Sequence, residues 1–193
     1  MPQGAGTLSA QAQSMNRTSI IRSHLSASQL MPLQDSLDIT AGITIESRAP
    51  ISTNEAWARF QNFGLAIVGT RESSAYSARL IESVLKDLQG MPLVIVSGLA
   101  RGIDQVAHRW AIKLGFLCLG WIACGVDRRL TREAEDLRQD ILNHGGWIAS
   151  PFDAQAPAYP SQFLTRNGWI AVSSRAIWVV EAPLRSGALN TAT

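Results

Sequence analysis

From Gly64 onward the chain alternates between short apolar runs and helical stripes. Leu65-Ala66-Ile67-Val68 is a continuous apolar run, the pattern of a parallel strand covered on both faces. It ends at Gly69-Thr70-Arg71. Ser73 and Ser74 then offer N-caps, and Tyr76, Leu80, Ile81, Val84, Leu85 and Leu88 follow at helical spacing, with Gly90 as a stop. Leu93-Val94-Ile95-Val96 reads as a second strand ending at Ser97-Gly98. Ile103, Val106, Ala107, Trp110, Ala111 and Leu114 then form one stripe, closed by Gly115. Phe116 to Ala123 reads as a third strand. Thr131 to Asn143 reads as an exposed helix with Leu137, Ile141 and Leu142 facing inward. Trp147-Ile148-Ala149 reads as a fourth strand, Phe163 to Val172 as a helix and Ala176-Ile177-Trp178-Val179-Val180 as a fifth strand. Trp110 and Trp178 fall on core positions of this pattern.

Strands alternating with helices through short links predict an α/β fold. The expected architecture is a doubly wound, mostly parallel, Rossmann-like sheet. Ligands of such sheets bind beyond the carboxyl ends of the strands. The loops after Val68, Val96, Ala123 and Val180 are therefore the ones to inspect.

The first part of the chain has a different texture. Met1 to about Thr40 is rich in Ser, Gln, Ala, Gly and Thr, with scattered Leu and Met in no period. Residues 1–45 are expected to be a flexible tail, 46–63 a short helical lead-in starting after Ser52 or Thr53, and 64–193 the Rossmann-like domain.

Composition changes this picture little. Of 193 residues, 46% are hydrophobic and 17% charged, enough for a real core. A net charge of +2 neither demands nor excludes a nucleic-acid partner, because clustering of the cations decides that. Cys118 and Cys124 sit in one apolar run with no metal-type spacing, so they read as reduced core thiols. No apolar stretch reaches the roughly 20 residues that span a bilayer, and the N-terminus has no signal-peptide pattern. A cytoplasmic location, with no membrane association, is expected.

The loop chemistry points to anions. Gly69 permits a sharp turn and close approach, and the following helix offers free N–H groups beside Thr70, Ser74 and Arg71. Arg71 supplies a planar, permanent charge suited to phosphate. Ser97-Gly98-Leu99-Ala100-Arg101-Gly102-Ile103-Asp104 repeats that design after the next strand, so the two loops converge on one cleft. Asp104 is expected to serve the helix dipole or clamp an Arg, and His108 to be structural. Arg166 and Asn167 lie near a helix start. Glu181, at the end of the fifth strand, is expected to pair with a neighbouring Arg, and Ser186-Gly187 offer another phosphate-binding turn. The Gly-x-Gly-x-x-Gly fingerprint, a Walker lysine, a Gly-x-Ser-x-Gly elbow and a metal-ligand spacing are all missing from the sequence. Neither enzymatic activity nor a cofactor is expected.

Five motifs carry a family likeness. They are Gly69-Thr70-Arg71 with Ser74 and Tyr76; Ser97 to Asp104 with Ala107-His108; Gly125-Val126-Asp127; Tyr159-Pro160 to Asn167; and Val179-Val180-Glu181-Ala182 with Ser186 to Leu189. In this order, over roughly Gly64 to Thr193, the chain resembles the DprA/Smf DNA-processing proteins. The resemblance implies an extended Rossmann-like domain that binds single-stranded DNA, helps load a RecA-type recombinase during natural transformation and recombination, and acts as a homodimer. It implies phosphate binding by Gly69, Thr70, Arg71, Ser74, Ser97, Gly98, Arg101, Gly102, Arg166, Asn167, Ser186 and Gly187. The alternative is a nucleotide sensor or phosphoribohydrolase-like enzyme of the wider superfamily, although the Pro-Gly-Gly-x-Gly-Thr loop of that group is missing.

Three departures stand out. Thr165 and Gly168 occupy positions where the family usually carries basic residues, which makes the pocket less basic. The chain stops at Thr193, where the family continues through another helix and strand, so an exposed sheet edge is expected. The N-terminal segment does not read as the helical domain often found ahead of the family's core.

Overall fold

The computed structural model describes residues 20–25, 42–48, 53–183 and 187–191. In chain order the elements are β1 (Ile21–Leu25), β2 (Ile43–Ser47), α1 (Thr53–Phe63), β3 (Gly64–Gly69), α2 (Ala75–Asp87), β4 (Val94–Gly98), α3 (Ile103–Lys113), β5 (Leu117–Trp121), α4 (Arg132–Asn143), β6 (Trp147–Ser150), α5 (Pro160–Val172) and β7 (Ala176–Glu181). The strands form one sheet in the order β1-β2-β6-β5-β4-β3-β7. β7, β3, β4, β5 and β6 pair in parallel, while β2 is antiparallel to β6 and β1 to β2. The expected Rossmann-like parallel core is present.

The continuous apolar runs are explained by two cores, one on each face. Ala66, Val68, Val94, Val96, Leu119 and Trp121 pack with Trp57 and Phe60 of α1 and Trp169 and Ile170 of α5. Their strand neighbours Ile67, Ile95, Cys118 and Ile148 point the other way, onto Ile81 and Leu85 of α2, Ile103 and Ala107 of α3, and Leu137 and Ile141 of α4. Trp110 and Trp178 are half-buried and pack against this second core. Burial pushes the Cys118 thiol well above its ordinary range, so it stays protonated. Among the described residues no helix is long and apolar enough to cross a membrane.

The chain winds outward from β3 through β4 and β5 to β6, and α5 then returns it across the opposite face to β7, beside β3. Neighbouring strands leave β3 in opposite directions, which is the switch point where such sheets bind ligands. The indoles of Trp121 and Trp169 stack at 5.5 Å, and the Trp121 N–H donates to Ser173 Oγ at 2.9 Å. This anchors α5. Arg166, three residues before Trp169 and so on the same helix face, is thereby set at the strand ends.

The first part of the chain corrects one expectation. Residues 21–25 and 43–45, read as flexible tail, are strands of the sheet, and β2 also takes the start of the lead-in. Ile43 and Ile45 alternate over too few positions to register as a strand pattern, and pairing with β6 completes them. Glu46 of β2 is fully buried, yet it meets Arg138 of α4 at 2.5 Å and Arg22 of β1 at 2.8 Å. Arg22 continues to Asp127 at 2.6 Å, and Arg138 also donates to the Val126 carbonyl at 2.8 Å. An ion network therefore ties the antiparallel strands to the parallel core.

Removing Arg138 leaves the fully buried Glu46 with only the half-exposed Arg22 as partner, and a buried charge that loses a partner is costly. Arg138→Met is expected to lower stability by about 3 kcal/mol in denaturant titration. Adding Glu46→Leu should recover most of that loss. If the double variant is no more stable than the single one, the ion pair is not the source of the loss.

Candidate functional site

A cavity of about 270 Å³ opens at the strand ends between β3, the start of α3 and α5. Gly69, Thr70, Arg71, Asp104, Phe163, Leu164, Arg166, Asn167 and Gly187 line it, with Thr191 at the far side. Six predicted positions are thus brought together: Gly69, Thr70, Arg71, Arg166, Asn167 and Gly187. Ser186 lies outside the described residues.

The two glycine loops interlock. The Ile103 N–H donates to the Thr70 carbonyl at 3.1 Å, and the Thr70 N–H donates to the Glu181 carbonyl at 2.7 Å. Gly102 has φ +90, and a Cβ there would meet the Thr70 and Arg71 backbone. A Cβ on Gly69 would lie 2.5 Å from Ile103 Cγ1. Both glycines therefore serve loop packing, as well as any ligand. The Arg101 Nε–H donates to the Arg71 carbonyl at 3.3 Å, while the Arg101 guanidinium lies 3.5 Å from Glu72. Arg101 is exposed and stands outside the cavity wall.

The cationic wall has a defined construction. Arg166 is buried, its Nη1 donates to the Trp121 carbonyl at 3.2 Å, and it stands 3.7 Å from Asp104. Asp104 is thus the Arg clamp, as expected. Burial pushes the Asp104 carboxyl up, and the charges of Arg166 and Arg71 offset this only in part. The guanidinium of Arg166 stays charged because arginine does not deprotonate in proteins. Gly98 lies under this pair: a Cβ there would overlap Arg166 and Asp104. Arg71 is exposed, with its guanidinium 5.0 Å from the Phe163 ring centroid, and Arg166 lies 5.9 Å from the same ring.

Phe163 carries no role in its motif by sequence alone; its spacing of three residues to Arg166 places both on one helix face.

Other predicted groups are already committed. Ser97 is fully buried and its hydroxyl donates to the Ile67 carbonyl at 2.6 Å, so it faces no ligand. The Asn167 amide donates to the Gly187 carbonyl at 2.9 Å and holds that turn against the cavity. Ser74 caps α2, and both its N–H (3.1 Å) and its hydroxyl (3.0 Å) donate to the Glu181 carboxylate. Ser77 Oγ donates to the same oxygen. These bonds hold the Glu181 carboxyl below the usual range, those from Ser77 first. Glu181 thus binds the N-terminus of α2 instead of the neighbouring Arg expected from the sequence.

Comparison with known proteins decides the family. The model for the family DNA recombination-mediator protein A matches residues 54–193. The chain belongs to this family. It is 37% identical over 131 residues to Protein Smf of Escherichia coli strain K12, covering 68% of this chain and 35% of that protein. It is 35% identical over 127 residues to DNA processing protein DprA of Streptococcus pneumoniae strain R6, covering 66% of this chain and 44% of that protein. The chain therefore spans less than half the length of these relatives. The X-ray structure of DNA processing protein A from S. pneumoniae superposes with a TM-score of 0.63 at 34% identity, over 69% of this chain and 47% of that one. That of the Helicobacter pylori protein gives 0.68 at 23% identity, over 89% of this chain and 74% of that one, which speaks to the shared fold.

Two measurements check this construction. Gly102→Ala is expected to cost at least about 1–3 kcal/mol, because the strained backbone and the loop contact add; a variant as stable as the parent would show that the loops are not interlocked. His108 is fully buried, and burial lowers its pKa to about 4. Between pH 6.5 and 4 the unfolded chain binds a proton that the folded chain refuses, so this stability is present above pH 6.5 and lost on acidification. Moving from pH 7 to 5 should cost the parent about 2 kcal/mol more than His108→Gln. Equal losses would show that His108 is not held neutral.

Proposed function

We propose that the chain is a single-stranded DNA-binding accessory factor in DNA uptake and recombination. The supporting observation is the pocket at the β3/β7 switch point, where Arg71 and Arg166 flank Phe163. Cations beside an aromatic ring suit a phosphate with its attached base, and a sugar-phosphate strand needs little sequence readout. Relatives are named DNA-processing proteins, and the H. pylori protein is described by its single-stranded DNA binding mode. A RecA-type recombinase as partner, a homodimeric state, a cytoplasmic location and a non-catalytic role complete the reading, on the strength of family resemblance. In residue terms, Arg71, Arg101 and Arg166 supply charge.

The Glu181 carboxylate weighs against a free nucleotide. In Rossmann-type sheets a dinucleotide's pyrophosphate sits on the first helix N-terminus, and here the Glu181 carboxylate already lies at that end, bonded to Ser74 and Ser77. Thr165, exposed on α5, adds no charge, so moderate affinity is expected.

Fluorescent oligo-dT titrated across a salt series, with mononucleotides as competitors, tests the reading. Binding should weaken with salt and resist mononucleotides. Arg71→Ala should lower affinity roughly tenfold and flatten the salt slope by about 0.7. A folded sample that ignores oligo-dT at low salt yet binds a mononucleotide tightly would overturn the reading.

A further inference from the structure

Beyond the pocket, the same edge of the sheet carries a second group of cations. Arg128 and Arg129 lie in the turn between β5 and α4 and Arg132 opens α4; all three are exposed and form no ion pair with the described residues. The one acid inside the turn, Asp127, is already held by Arg22 at 2.6 Å. Glu133 and Asp136 follow along α4 and are exposed on the helix. The turn and the first residue of α4 therefore present three positive charges held in no ion pair.

Its placement is determined by the chain that leads into α5. The Gly125 N–H donates to the Ala156 carbonyl and the Asp127 N–H to the Ala154 carbonyl, both at 2.9 Å. The Gln155 amide reaches Asp127 at 3.1 Å. Gly125 packs so closely on Asp153 and Ala154 that a Cβ would overlap their backbone. From Ala156 the chain needs three residues, at most about 10 Å, to reach Tyr159. Tyr159 is 57% exposed at the start of α5, and Phe163 of the pocket stands one helical turn further on. The edge thus runs from the Arg71–Phe163 pocket, past Leu164 and Tyr159, to Arg128 and Arg129. Alternating cations and aromatic rings along a groove is what tracks a single strand.

We infer that the β5–α4 turn is a second phosphate-contact surface, taking the backbone of a strand that leaves the pocket past Tyr159. The inference rests on the single-stranded DNA reading and extends it from a pocket to a path. A strand of several nucleotides engages both surfaces, and a dinucleotide engages the pocket alone.

The test compares a long oligo-dT with a dithymidine dinucleotide on the full chain. The variant Arg128→Ala/Arg129→Ala/Arg132→Ala is set against Arg59→Ala/Arg79→Ala/Arg109→Ala, which removes the same charge from exposed positions on α1, α2 and α3. The turn variant should bind the long strand roughly tenfold more weakly, with a salt slope flatter by about 2. Its dinucleotide affinity should match the parent, and the control should stay within about twofold on both ligands. Parental affinity and slope in the turn variant would overturn the path while leaving the pocket reading intact. So would an equal loss in the control, which marks a net-charge effect, or an equal loss on the dinucleotide, which marks a disturbed pocket. Failure of the parent to bind either ligand would overturn both readings.

Discussion

The structure depends on β3 having a parallel neighbour on each side that the chain reaches by opposite routes. Three right-handed crossovers carry it away from β3 and fill one face of the sheet with α2, α3 and α4. The remaining crossover must come back, and it can do so only over the other face, through α5. The loops after β3 and β7 therefore diverge, and a cavity opens where they part. Both cores, the position of α5 and the cavity follow from this single reversal.

Charge inside this frame is arranged by pairing. Arg166 and Asp104 share a buried site under Gly98, and Glu46 sits between Arg138 and Arg22. Buried pairs add little net stability compared with apolar replacements, but an unpaired member is costly. The consequence is precision of placement. Arg166 is held rigid at the back of the cavity, whereas Arg71 at the front is exposed and free to meet a ligand. One cation is preorganised and the other adaptable, on either side of one aromatic ring.

Glu181 places a negative charge at one side of the site. The helix end that commonly holds a nucleotide's phosphate is filled from within by a carboxylate on β7, through Ser74 and Ser77. The guanidinium groups of Arg71 and Arg166, in contrast, stand at the cavity itself.

The sequence by itself determined the parallel core, its helices and the two glycine loops. Continuous apolar runs such as Leu65 to Val68, capped helices and Gly-rich turns are local signals, so they survive without tertiary information. The five-motif order also made the family legible. Only the tertiary structure decided which of those loop residues line the cavity. Ser97 and Gly98 look like a phosphate turn but pack beneath it, and Ser74 is claimed by Glu181, more than a hundred positions away. β1 and β2 were illegible for the same reason. β2 becomes a strand only by pairing with β6 and by neutralising Glu46 against Arg138, and β1 only by pairing with β2 in turn; all of these contacts are long-range. Local pattern reports what a segment can form, while burial and partner choice are settled by groups that meet only once the chain has folded.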